Sequence, residues 1–195
     1  MIINIILCYA TLYIVIWLHE VGHAVWYWKF GCKKNPLHVT VKPYIFFSTP
    51  LPVDMEKMNS ITDKQDMIIG YGGIVMNFIC TAISLPIVLH SGSMNLYLQL
   101  FLWLFCTLHL AEIVSYMFLG NLFLVSDMAN IARVKPQLRL PNLLIGIILT
   151  VLYVFLLKQL PDELFMMVVI VNICTIVCMG VGRIIFTMMN KKKEA

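Results

Sequence analysis

The chain has 195 residues, of which 61% are hydrophobic and 12% charged, with a mean hydropathy of +0.87. A soluble domain is ~45–50% apolar, so an ordinary water-soluble globule is excluded and a membrane all-α protein is predicted, one domain over residues 1–195. The net charge of +4 is no nucleic-acid signal; where the charges fall matters more than their sum.

A spanning helix needs about 20 mostly apolar residues, and five stretches qualify: 2–28, 67–89, 96–119, 143–157 and 164–189. The first carries His19-Glu20-Val21-Gly22-His23 inside a run whose only charged side chains are Glu20 and Lys29. On a helix, residues four apart share a face, so both imidazoles can hold one Zn²⁺. In the metalloprotease use of this pattern, the glutamate takes the proton of the metal's water and passes it to the leaving amine. An acid near the middle of a spanning helix costs ~2.5–3.5 kcal/mol, so ionisable groups there are usually functional. The N-terminus lacks a basic leader and a small-residue cleavage site, and the first helix is expected to be retained.

Gly31 offers a stop for that helix. His38-Val39-Thr40-Val41-Lys42 then alternates polar and apolar residues, and residues 44–47 form a second extended run closed by Pro50 and Pro52. The pattern predicts two short strands, a membrane-associated β-hairpin at the surface near the metal. His38 reads as a surface histidine on the first strand rather than a ligand. Residues 54–66 read as a charged linker. The third stretch is interrupted by Gly120-Asn121, and Pro141 precedes the fourth. No internal repeat is present. Of the six cysteines, Cys8, Cys80, Cys106, Cys174 and Cys178 lie in apolar runs without Cys-x-x-Cys spacing. They read as small core hydrophobes, not as a disulfide framework; Cys174 and Cys178, one turn apart, also read as core.

Loop charges orient the spans. With the N-terminus outside and the C-terminus cytoplasmic, Lys29, Lys33, Lys34, Lys42, Lys57, Lys64, Arg133, Lys135, Arg139, Arg183 and Lys191 to Lys193 all fall inside, and only Lys158 falls outside. The expected location is therefore a multi-pass cell membrane. At ~1.5 Å per residue His23 lies about 8 Å inside the cytoplasmic end of its helix and His19 about 14 Å.

A catalytic zinc site usually takes three protein ligands and leaves a position for water. Two acids lie at matching depth: Asp127, beyond the Gly120-Asn121 break, and Glu112, with His109 three residues earlier on the same helix face. Depth alone does not separate them.

The His-Glu-x-x-His stretch in a first spanning helix resembles the site-2 protease family of intramembrane zinc metalloproteases. Gly72-Gly73-Ile74-Val75-Met76-Asn77 is similar to the family's Gly-Pro-x-x-Asn motif, with Ile74 in place of proline. The run from Asn121 to Met128 is similar to its Asn-x-x-Pro…Asp-Gly motif, with Leu124 in place of proline, a shorter gap and Met128 in place of glycine. The resemblance covers residues 1–135, the expected core, and leaves accessory helices at 141–189. It implies Zn²⁺ on His19, His23 and Asp127, with Glu112 the alternative ligand or else part of a buried polar pair with His109. It implies catalytic roles for Glu20 and for Asn77, the latter near the reacting water, where an amide can stabilise an oxyanion or hold substrate; the plainer alternative for Asn77 is packing between helices beside small glycines. It implies that Val39, Val41, Tyr44 and Asn121 bind substrate, the strand receiving it by added pairing. No PDZ or CBS module is expected.

The expected activity is that of a zinc-dependent endopeptidase cleaving membrane-embedded or membrane-associated proteins or peptides, either to release a regulator or to process a precursor. The expected partners are that substrate and the lipid bilayer, with no nucleic acid. The alternative is a non-catalytic metal-binding membrane protein that binds or transports a peptide.

Overall fold

A computed structural model describes residues 2–44 and 48–194. The expected helical bundle is present. Among the described residues, five helical stretches are long and apolar enough to cross a membrane: Ile2–Lys29, Asp63–Leu89, Leu96–Phe123, Pro136–Leu157 and Asp162–Gly182. In chain order the elements are α1 (Ile2–Lys29), the short α2 (Met55–Met58), α3 (Asp63–Leu89), α4 (Leu96–Val114), a π-helical turn (Ser115–Gly120), α5 (Asn121–Phe123), α6 (Ser126–Val134), α7 (Arg139–Leu157) and α8 (Asp162–Glu194).

Local chemistry sets the ends. Gly31 follows α1 at φ +77°, a left-handed value that suits glycine after a helix. Thr62 and Gln65 form a reciprocal capping box at the start of α3, placing that start four residues before the apolar run begins. Asn95 caps α4 by accepting from the Tyr97 N–H at 2.9 Å. Pro141 lies in the first turn of α7 instead of before it, where a missing N–H costs nothing because no intrahelical acceptor precedes it.

The expected interruption at Gly120-Asn121 is displaced. The chain stays helical through the π-turn and α5, and turns at Leu124 (φ 51°) and Ser126 (φ 54°). Each left-handed non-glycine residue costs about 1–2 kcal/mol. Packing holds this elbow: Met128 and Ile131 just beyond it are each 1% exposed, and Met128 approaches Gly120.

The expected β-hairpin is not seen. Among the described residues there is no strand, only one antiparallel bridge between Thr40 and Thr49, with N–H···O distances of 3.0 Å each way; Ile45, Phe46 and Phe47 lie outside the described residues. The segment does not simply rest at the end of α1. It runs back along that helix, where Tyr13 Oη donates to Val41 O (3.5 Å) and Tyr9 Oη to Pro43 O (2.6 Å). Its returning limb is pinned by Lys33, whose buried ammonium donates to Pro50 O (2.8 Å) and Pro52 O (2.7 Å). Burial lowers the pKa of that lysine.

α4 is the enclosed centre of the bundle, with α1, α3, α7 and α8 packed around it. Polar side chains bridge the apolar helices: Asn172 of α8 donates to Thr107 Oγ1 (3.0 Å), and Asn142 of α7 donates to Tyr71 Oη (2.7 Å). The cysteines divide: Cys32 and Cys106 are buried, Cys8 and Cys80 intermediate. Cys174 and Cys178 are exposed on α8, so the expectation that they pack in the core is corrected; α8 turns that face away from α4.

The closest crossing is α1 on α3. A Cβ on Gly72 would lie 2.5 Å from Gly22 O and 2.9 Å from the His23 Cα, and a Cβ on Gly22 would strike Gly72 O. Only residues without a side chain allow two backbones this close. Gly72→Ala therefore forces backbone, not a flexible side chain, to move. A loss of about 1–3 kcal/mol is expected, read as a lowered Tm in detergent, whereas Ala at the open Gly92 should leave Tm nearly unchanged.

Candidate metal centre

The Gly22/Gly72 crossing brings α3 against the two histidines. His19 and His23 are 3% and 6% exposed, and their Nε2 atoms are 3.1 Å apart. Beyond the elbow, the first turn of α6 delivers Asp127: its Oδ2 is 3.4 Å from His23 Nε2 and 3.9 Å from His19 Nε2. These three residues form a group that could hold a metal ion. Glu112, the other candidate for a third ligand, is buried one turn from His109 on α4 and stands outside that group.

The residues fit a metal ion on three counts. First, four ligands around zinc at ~2.0–2.1 Å stand roughly 3.3 Å from one another, close to the spacings here. Second, the donor atoms converge. His23 Nδ1 lies 2.7 Å from Ile69 O; a carbonyl only accepts, so Nδ1 carries a proton and Nε2 is the nitrogen that can ligate. Asp127 Oδ2, buried and without a hydrogen-bond partner, faces that nitrogen at 3.4 Å, where a cation could be shared between them. Third, Gly73 keeps the adjoining space open: a Cβ there would lie 2.5 Å from the Nε2 atoms of both histidines.

Several groups hold the set in place. Tyr116, presented by the π-turn, stacks on His19 with ring centroids 4.8 Å apart and planes 9° from parallel. Arg133 at the far end of α6 donates to Asp66 Oδ2 on α3 at 2.9 Å, so α6 is tied to α3 at that end while Asp127 at its start meets the histidines of α1. Asn77, 0% exposed, meets His19 Nδ1 through Nδ2 (3.0 Å) and His109 Nδ1 through Oδ1 (2.9 Å).

A cleft of about 210 Å³ opens beside the histidines, lined by Glu20, His23, Asp127, Asp66, Tyr116, Ser48 and Pro50 among others. Glu20 thus faces the same space as two of the three candidate metal ligands. The other expected site residues lie elsewhere. Val39, Val41 and Tyr44 do not line this cleft; the returning limb at Ser48 and Pro50 does. Asn121 is buried, its Nδ2 donating to Arg139 O at 2.5 Å. His38 is exposed beside a second cleft formed with Cys32, Lys34 and Lys57. Tyr116 and Asp66 were not foreseen. The one sequence signal for Tyr116 is its place just before Gly120-Asn121, where the helix loses its regular register.

Metal analysis of the purified chain is expected to separate the acids: Asp127→Ala loses bound metal, Glu112→Ala keeps it. Gly73→Ala, which removes no ligand, is expected to lose metal as well, because its methyl group occupies the space beside both Nε2 atoms. Comparison with protein-family models, with curated proteins and with solved structures gave no match, so the site is read from its own residues.

Proposed function

We propose that this chain is an intramembrane zinc metalloprotease resembling the site-2 protease family, which hydrolyses peptide bonds in membrane-embedded or membrane-associated substrates. The observation that carries the reading is the convergence of His19, His23 and Asp127 beside a cleft that Glu20 also lines, in a bundle whose helices can cross a membrane. Two buried imidazoles and one part-buried carboxylate supply three ligands, the number that a catalytic rather than a closed structural zinc site takes, with a position left for water.

His19, His23 and Asp127 hold the zinc, which when bound supplies the Lewis acidity that activates water and polarises the scissile carbonyl. Glu20 accepts the proton that the attacking water gives up, then returns it to the departing amide nitrogen as the C–N bond breaks. Water reaches the polar residues lining the cleft from the side on which the cleft opens. By the distribution of lysine and arginine that side is the cytoplasm. Substrate enters extended, because the carbonyls of an intact helix are already hydrogen-bonded. The Thr40–Thr49 bridge and the placement of Ser48 and Pro50 on the cleft support pairing of substrate along the segment after α1, in the manner of an added strand. Segments with helix-weakening residues are the preferred substrates.

Glu20→Gln keeps both histidines and Asp127. Bound zinc is expected to stay, while cleavage of a co-expressed membrane substrate, read by mass spectrometry of the fragments, falls by at least ~10²-fold. Full cleavage by this variant would overturn the protease reading and favour a metal-binding protein that holds a peptide without cutting it.

A further inference from the structure

The second cleft, of about 300 Å³, lies away from the histidines, just past the end of α1. It is lined by the turn from Gly31 to Asn35 and by the limb that returns past Pro52 to Lys57. The Asp54 N–H joins these segments, donating to Cys32 O at 2.8 Å. Three lysines, Lys33, Lys34 and Lys57, line the cleft against one carboxylate, Asp54. That carboxylate is already committed: Oδ1 accepts from the Lys57 N–H at 3.2 Å, and Oδ2 pairs with Lys57 Nζ at 3.6 Å. One lysine is thereby neutralised. Among the described residues, Lys33 and Lys34 are left without an anion.

Lys33 is the sharper observation. It is 7% exposed, and a lysine is almost never so buried unless it is paired. Its ammonium donates to Pro50 O and Pro52 O, which are neutral acceptors and bring no opposite charge. An ammonium has three donors, so among the described residues one of them remains unused. What the site lacks is an anion. Lys34 stands exposed at the rim. Asn35 adds a neutral donor: its Oδ1 accepts from the Leu37 N–H at 2.9 Å, which leaves Nδ2 free to donate. Ammonium and amide donors around one cavity are the chemistry of phosphate recognition, in which lysine acts as a point charge.

We propose that this cleft binds a phosphate group against Lys33, Lys34 and Lys57, and that its source is the headgroup of an anionic lipid. The position selects the source. The cleft begins at Gly31, directly after a helix long and apolar enough to cross a membrane, so in a bilayer it stands at headgroup depth. Trp28 on the last turn of that helix is exposed, as are Leu37 and Met55, neighbours in the chain of His38 and Asp54. Such an aromatic and apolar fringe beds into a membrane interface, and anionic lipid attracts lysines held close to it. A bound headgroup supplies the charge that Lys33 lacks. The same ammonium holds Pro50, which lines the metal cleft, so one side chain supports both clefts. The inference requires neither a metal ion nor peptide cleavage.

The test is native mass spectrometry of the full chain in detergent, with phosphatidylglycerol and phosphatidylcholine offered in equal amounts. The wild type is expected to retain phosphatidylglycerol at least ~10-fold over phosphatidylcholine. Lys34→Gln is expected to lower that preference about fivefold, and Lys33→Met to abolish it. Lys64→Gln, at an exposed lysine outside the cleft, is expected to leave it unchanged. Should Lys33→Met not fold, Lys34→Gln and Lys64→Gln decide. Free phosphate is tested on the same chain by ³¹P line broadening of added inorganic phosphate. Broadening that Lys34→Gln removes, with no lipid preference, keeps the anion site and overturns the headgroup as its source. The whole proposal is overturned if the wild type shows neither lipid preference nor phosphate broadening. It is equally overturned if Lys34→Gln keeps the wild-type preference or loses no more of it than Lys64→Gln, the mark of general surface charge.

Discussion

Everything at the centre of this bundle depends on the contact between Gly22 and Gly72. Two helices can approach until their backbones touch only where neither carries a side chain, and here the touching points fall within the histidine motif and one residue before Gly73. The crossing therefore fixes three things together. It seats Gly73 against the imidazoles, brings Ile69 O to His23 and carries Asn77 to His19. In a membrane, where water offers no hydrophobic drive between helices, such close packing is itself a main source of cohesion. The site is thus not decoration on a pre-formed bundle; its geometry and the strongest helix contact share residues.

The third corner is built differently. Asp127 reaches the histidines from a short amphipathic helix that follows two left-handed residues, Leu124 and Ser126. Strain of this kind persists only where surroundings over-determine the conformation. Here the buried Met128 and Ile131 and the Arg133–Asp66 ion pair do so. The ion pair is largely solvent-exposed on the arginine side and contributes little to global stability. Its role is to register α6 against α3.

Much of this was legible in the sequence. Hydrophobic run length located all five long helices to within a few residues, since the need for about 20 apolar residues is a strong constraint. The His-Glu-x-x-His spacing placed two side chains on one helix face by geometry alone. The choice of Asp127 needed more, because at equal depth it cannot be told from Glu112 without knowing which way each helix faces. α4 turns Glu112 to the side of His109, and the elbow turns Asp127 to the histidines. The segment after α1 was the poorest reading. Alternation suggested strands, but side-chain alternation is a weak signal where the chain is tied by lysine and tyrosine side chains to backbone carbonyls instead of by a ladder.

The proposed chemistry requires a metal ion between His19, His23 and Asp127. X-ray absorption at the zinc edge of the purified chain tests this most directly. Two imidazoles with additional oxygen ligands at ~2.0–2.2 Å and no sulfur are predicted. A sulfur shell at ~2.3 Å, or a spectrum without imidazole scattering, would contradict it.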